Sequence, residues 1–146
     1  MTIQRMDHVG VVVDDLEGAL AFFVDLGMEK VGEVTPAEGR WVDQVVGLDD
    51  VRVEIVFVQT PDGHGRLELT RFLHPTATTA EPDAPAHTIG LRRLMFAVDD
   101  IDATVDRLRA RGHELVGAIA QYEDVYRLCY VRGPEGILVA LAEELR

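Results

Sequence analysis

The sequence predicts an α+β protein made of two tandem βαβββ modules, and three observations carry that expectation. Residues 8–34 (HVGVVVDDLEGALAFFVDLGMEKVGEV) align without a gap on residues 93–119 (RLMFAVDDIDATVDRLRARGHELVGAI), at an offset of 85, and a repeat of this length decides architecture before any local reading does. Within each copy the apolar spacing changes from strand-like to helical at a pair of aspartates. A turn with Pro, an acid and Gly in the same order, TPDGHG and RGPEG, precedes the last strand of each half.

The elements follow in order. Each copy opens with a Val-, Leu- and Phe-rich run suited to a strand. Asp14 and Asp15, matched by Asp99 and Asp100, then stand where a helix N-cap and first turn favour carboxylates. From Leu16 to Leu26 the residues Leu16, Ala19, Leu20, Phe23 and Leu26 recur at helical spacing, as do Ile101, Val105 and Leu108. Gly27 and Gly112 end these helices, and MEKVGEV and HELVGAI read as short strands. Two further strand-like runs complete each half: 51–59 and 66–72, then 126–132 and 137–142. Residues 36–50 hold a short helix around 40–46 as their readable feature. The expected organisation is one domain over 1–146, with a first module at 5–72, a Pro- and Thr-containing linker at 73–89 and a second module at 90–144.

Bulk composition bounds the function. The 146 residues are 47% hydrophobic and 27% charged, enough to bury a core and unlike a disordered chain. Fourteen basic against 26 acidic residues leave a net charge of −12, which opposes nucleic acid and anionic membrane surfaces as partners. Cys129 is the single cysteine, read as a small buried residue in a strand. The N-terminal segment lacks a signal-peptide pattern and no run of about 18 apolar residues occurs, so a cytoplasmic location is expected.

The doubled module, with FAVDDID opening its second half and GPEGILVALAEEL closing it, resembles the vicinal oxygen chelate superfamily, the glyoxalase, bleomycin-resistance and extradiol dioxygenase group. The resemblance spans about residues 5–144. It implies two sheets curled into a cup, a homodimer, and, in enzymes of the group, up to four metal ligands, one from the first and one from the last strand of each module. By that resemblance His8 and Glu68 are ligand positions of the first module. Their counterparts in the second are Arg93 and Ala140, of which one is a permanent cation without an acceptor and the other carries no donor atom. Two unit charges about 4 Å apart interact by roughly 4 kcal/mol at an effective dielectric of about 20, so a divalent ion beside Arg93 faces about twice that in repulsion.

Two chemistries stay open at this point. A divalent metal (zinc, nickel, manganese or iron) held by His8 and Glu68 needs a further ligand, for which His64 and His74 are the candidates. Alternatively there is no metal, and Arg93 pairs with Glu68 across the cup to make an anion or carbonyl site. Strand alternation puts Arg66, Glu68 and Thr70 on one face, so Arg66 joins Arg93 as a substrate-binding cation, with Tyr122, Tyr126 or Tyr130 stacking on the ligand or donating a hydroxyl. The resemblance implies a lyase or isomerase in which Glu68 removes a proton next to a carbonyl and Arg93 stabilises the enolate. The competing reading is a drug-binding protein of the bleomycin-resistance type that does no chemistry.

Overall fold

A computed structural model describes residues 2–145. The chain divides into two compact units between Thr79 and Ala80. The first contains strand β1 (Val9–Val12), helix α1 (Leu16–Leu26), β2 (Glu29–Glu38), α2 (Arg40–Val46), β3 (Arg52–Gln59) and β4 (Arg66–His74). The second contains β5 (Arg93–Ala97), α3 (Ile101–Ala110), β6 (Ala120–Tyr122), β7 (Tyr126–Arg132), a single 3-10 turn (Pro134–Gly136) and β8 (Leu138–Glu144). Each unit is a four-stranded mixed sheet, ordered β1-β4-β3-β2 and β5-β8-β7-β6, with the first and last strands of the module parallel. The fold is therefore the α+β pair of βαβββ modules that the repeat predicts.

The helices begin where the aspartates place them. Asp15 accepts a hydrogen bond from the Gly18 N–H at 2.9 Å and Asp100 one from Ala103 N–H at 3.0 Å, each satisfying an amide that the first helical turn leaves unpaired. Gly27 closes α1 with φ 123°, whereas α3 is capped by Arg111 and Gly112 follows one residue later. Leu16, Ala19, Phe22 and Phe23 of α1 are buried on the side of the first sheet that presents Val11, Val56, Val58, Leu67 and Leu69. In the second unit Ile101, Thr104, Val105 and Leu108 do the same over Cys129, Val131, Val139 and Leu141. Burial raises the Cys129 thiol above its ordinary pKa and keeps it protonated, as expected of a structural cysteine.

The strands depart from the sequence reading in places, while the expected short helix does not. The strand expected at 113–119 is absent: Leu115 makes only an isolated bridge to Val131, and pairing begins in earnest at Ala120. In the first unit β2 does form, but its register breaks between Val31 and Thr35, around Gly32 with φ 70°. Gly117 is the repeat partner of Gly32, and Ala120 that of Thr35, so both copies interrupt the pairing at the same glycine; the first copy forms a ladder on both sides of it, the second a single bridge before it and a ladder only beyond it. The short helix expected near 40–46 is α2. Finally, β4 continues through Leu73 and His74, into the segment read as linker.

Part of the remaining connection is fastened to the second unit. Arg132 donates to the Gly136 carbonyl at 3.0 Å and to the Ala84 carbonyl at 2.6 Å. Gly136, at φ 81°, has the Pro82 backbone where a Cβ would stand, with Pro82 Cα at 2.6 Å from that point. Only glycine fits there. Among the described residues no helix is long and apolar enough to cross a membrane.

Candidate functional site

The face of the first sheet away from α1 carries the candidate residues of the first unit. Parallel pairing sets Gly10 opposite Glu68, antiparallel pairing sets Glu68 opposite Phe57 and Arg66 opposite Gln59, and alternation adds His8 and Thr70 to the same side. One end of this face is covered. There Val42 of α2 is buried with Val51 and Val53, and Ala37, Ile55 and Phe72 pack against them.

Phe57 organises what stands in the open. The His8 ring packs perpendicular to it, centroids 5.3 Å apart at 89°, and the Arg66 guanidinium lies over it with Cζ 4.7 Å from the centroid. Both contacts suit an aromatic ring, whose face attracts positive charge. Arg66 Nε is buried and has no hydrogen-bond partner. A buried donor left unpaired costs about 1–3 kcal/mol, so an acceptor that reached it would be held tightly. Glu68 accepts a hydrogen bond from the Thr70 hydroxyl at 3.2 Å, and its Oε2 is 3.8 Å from His8 Nε2. The side chains of His8 and Glu68 are 33% and 27% exposed, half-sheltered and still accessible to a ligand.

His8 is oriented from behind. Its Nδ1 lies 2.8 Å from Asp7 Oδ2, and Arg5 donates to the other Asp7 oxygen at 2.9 Å. An acceptor at Nδ1 keeps a proton on that nitrogen and leaves Nε2 directed towards Glu68. The His8 hydrogen bond and then the Arg5 contact hold the Asp7 carboxyl below its ordinary pKa, so it is ionised and fit for that task.

The second unit carries Arg93 and the tyrosines. Its sheet sets Met95 opposite Ala140 and Ala140 opposite Tyr130, the register of Gly10, Glu68 and Phe57 transposed by the repeat. Arg93 stands over Tyr130, Cζ 5.2 Å from the ring centroid. Tyr122 and Tyr126 pair across β6 and β7, rings 5.7 Å apart and tilted by 32°.

The predicted residues thus fall into three groups: His8, Arg66 and Glu68 together on the first sheet, Arg93 with Tyr130 on the second, and Tyr122 with Tyr126. His64 lies exposed in the turn before β4, where its N–H donates to Asp62 at 3.0 Å. His74 closes on the Asp50 carbonyl through Nδ1 at 2.7 Å. Among the described residues no group of three or more His, Cys, Asp or Glu side chains is placed to hold a metal. His8 and Glu68 offer two donors, where catalytic zinc generally takes about three from the protein, so these residues do not fit the resident metal that the resemblance implies. Asp7 and Phe57 escaped the sequence reading. The signals were a carboxylate adjoining His8 and the alternation of VRVEIVFVQ, which puts Phe57 in phase with Ile55 and Gln59.

Comparison with known proteins decides the family. Residues 5–141 match the model of the Glyoxalase/Bleomycin resistance protein/Dioxygenase superfamily. The chain belongs to that superfamily. Among solved superfamily structures, a glyoxalase family protein from Bacillus cereus is 48% identical, with TM-score 0.95 over 100% of this chain and 97% of its own. The superfamily fold also recurs in TnmS3, an antibiotic binding protein from Streptomyces sp. CB03234, at 21% identity and TM-score 0.59 over 99% and 98% of the two chains. The Escherichia coli (strain K12) protein YaeR is 25% identical over 144 residues, 97% of this chain and 98% of YaeR.

Proposed function

We propose that the open face of the first sheet binds a small carbonyl- or carboxylate-bearing molecule and that the protein is a lyase or isomerase of the glyoxalase type, with Glu68 moving the proton. The observation that carries this reading is the row on one face: Arg66 seated on Phe57 with an unsatisfied donor, and Glu68 beside it within reach of His8. Arg66 pairs with the ligand's anionic group, as an Arg fork does with carboxylates. Glu68 takes a proton from the carbon next to the carbonyl, the electron pair moving to the oxygen held by the cationic Arg66, while His8, steadied by Asp7, offers an Nε2 lone pair that can receive the proton in turn. Arg93 over Tyr130 is the anion-binding cation of the second sheet. The assembly in this reading is a homodimer, which the mass in solution checks.

The test is deuterium wash-in at the carbon next to the carbonyl of a 2-oxo acid, followed by NMR. Glu68→Gln should lower the exchange rate by about 10²–10⁴-fold, the usual worth of a positioned general base. Full exchange in that variant ends the assignment of Glu68.

A second reading is favoured by the second sheet, where Arg93 and Ala140 stand at the repeat positions of His8 and Glu68. A sheet whose counterpart positions are an arginine and an alanine suits a protein that holds a small molecule without changing it. Recovery of the bound ligand unaltered after long incubation, with no isotope exchange, would select this reading.

A further inference from the structure

Gly10 is at odds with its place in the fold. It stands inside β1, where glycine packs nothing and loses the most conformational freedom on folding. Its backbone does not require it: eight glycines among the described residues have positive φ, and Gly10 is not one of them. Nor do its neighbours. At Gly18 and Gly65 the space for a Cβ is taken by the side chains of Asp15 and Thr60, whereas a Cβ at Gly10 meets nothing within 4 Å. Gly117 also opens on empty space, but in an irregular stretch where glycine carries no strand penalty.

The repeat sharpens the contrast. The counterpart of Gly10 is Met95, a residue 54% exposed opposite Ala140. In the first unit the same position is bare, and it is bare directly beside Glu68. Strands in a sheet lie about 4.8 Å apart, so the missing side chain leaves a notch one strand-width from the base of Glu68. His8 and Val12 flank it along the strand, and β1 is an edge strand with no further neighbour in its sheet.

The geometry points to Gly10 as a specificity-determining residue: the bare backbone is the seat of a flat, sp2-centred anion of the 2-oxo acid or enolate class, laid against β1 with its anionic group towards the unpaired donor of Arg66 and its reacting carbon facing Glu68. Glycine within a strand is the residue that lets a ligand approach the backbone closely. This rests on the reading of that face as a small-molecule site, and it stands apart from the proton transfer assigned to Glu68.

The probes are oxalate, a planar dianion resembling an enolate, and pyruvate. Oxalate binding is followed by amide shifts of β1 and β4 in the wild type and in Gly10→Ala, Gly10→Val, Gly10→Met and, as control, Gly117→Met. The expected result is saturable binding by the wild type and by Gly117→Met, a graded loss through Ala and Val, and at least about a tenfold weaker Kd in Gly10→Met. Melting temperatures of the Gly10 variants should hold or rise, since a larger residue suits a strand better. Undiminished binding by Gly10→Met, equal weakening by Gly117→Met, no saturable binding by the wild type, or unfolding of Gly10→Val, which would mean the notch packs against protein, each overturns the proposal. Deuterium wash-in on pyruvate is the separate arm: oxalate binding lost with the notch filled, but no exchange in the wild type, keeps the notch and removes the proton transfer.

Discussion

At the residue scale Phe57 does more than fill space, because the His8 ring packs perpendicular to it and Arg66 lies over its face. Phe57→Ala should cost about 1–2 kcal/mol in thermal unfolding, less than the 3–5 of a fully buried ring, because this one is half-buried. Binding of an anionic ligand should weaken with it, because the guanidinium loses its platform. Asp7→Ala should release Arg5 as well as His8, and the reading is at His8: ring nitrogen shifts should move from one tautomer towards a mixture, while melting stays close to the wild type because the Arg5 pair is exposed. An unchanged His8 spectrum would mean that Asp7 does not set its proton. His8 and Glu68 were located by the family resemblance and Arg66 by strand alternation, both of which fix backbone positions. Asp7 and Phe57 were not. Asp7 acts through the rotamer of its neighbour, and Phe57 meets Glu68 only through a β3–β4 register that depends on how the TPDGHG turn closes.

At the element scale the helices were legible almost to the residue, since Asp15, Asp100 and the glycines state both ends in local chemistry. The strand expected at 113–119 was misread because a chain at the rim of a sheet pairs or not according to its neighbour, and HELVGAI shares its pattern with a segment that does pair. The N-cap of α1 makes a quantitative forecast. Gly18→Ala in an exposed helix position ordinarily stabilises by about 1 kcal/mol, but here the added methyl runs into the Asp15 carboxyl, whose Cγ lies 2.8 Å from it. The substitution should be near neutral in the wild type and stabilising by about 1 kcal/mol in Asp15→Ala, the cap itself being worth a similar amount. Additive melting data across the cycle would refute the clash.

Helix α3 is tied to β7 by Arg127, which donates to both oxygens of Asp102 at 2.6 and 3.1 Å. Hydrogen bonding by Arg127 holds the Asp102 carboxyl below its ordinary 3.8. The folded pKa is depressed, so the stabilisation is present above 3.8 and disappears as pH falls through the lower folded value. Arg127→Gln should therefore melt below the wild type at neutral pH, by a modest margin because the pair is exposed, and the two curves should converge on acidification. A gap that persists in acid would place the role of Arg127 in packing.

At the scale of the whole molecule the excess of 12 negative charges is the dominant field. Self-repulsion of this size opposes the compact state, and salt screens it over about 8 Å at physiological strength. The melting temperature should climb by a few degrees from low salt to about 0.15 M, and a fall would show that attractive pairs outweigh the repulsion.

The tether of Pro82 and Ala84 to Arg132 and Gly136 also tells where the polypeptide can be divided. Composition alone would set a C-terminal fragment to start near Ile89, past the prolines. Such a fragment discards the Ala84 carbonyl that Arg132 holds and uncovers the bare flank of Gly136. A fragment 80–146 keeps both and should melt cooperatively above a fragment 89–146, which makes the Thr79–Ala80 bond, and not the end of the linker, the place to split this gene for complementation.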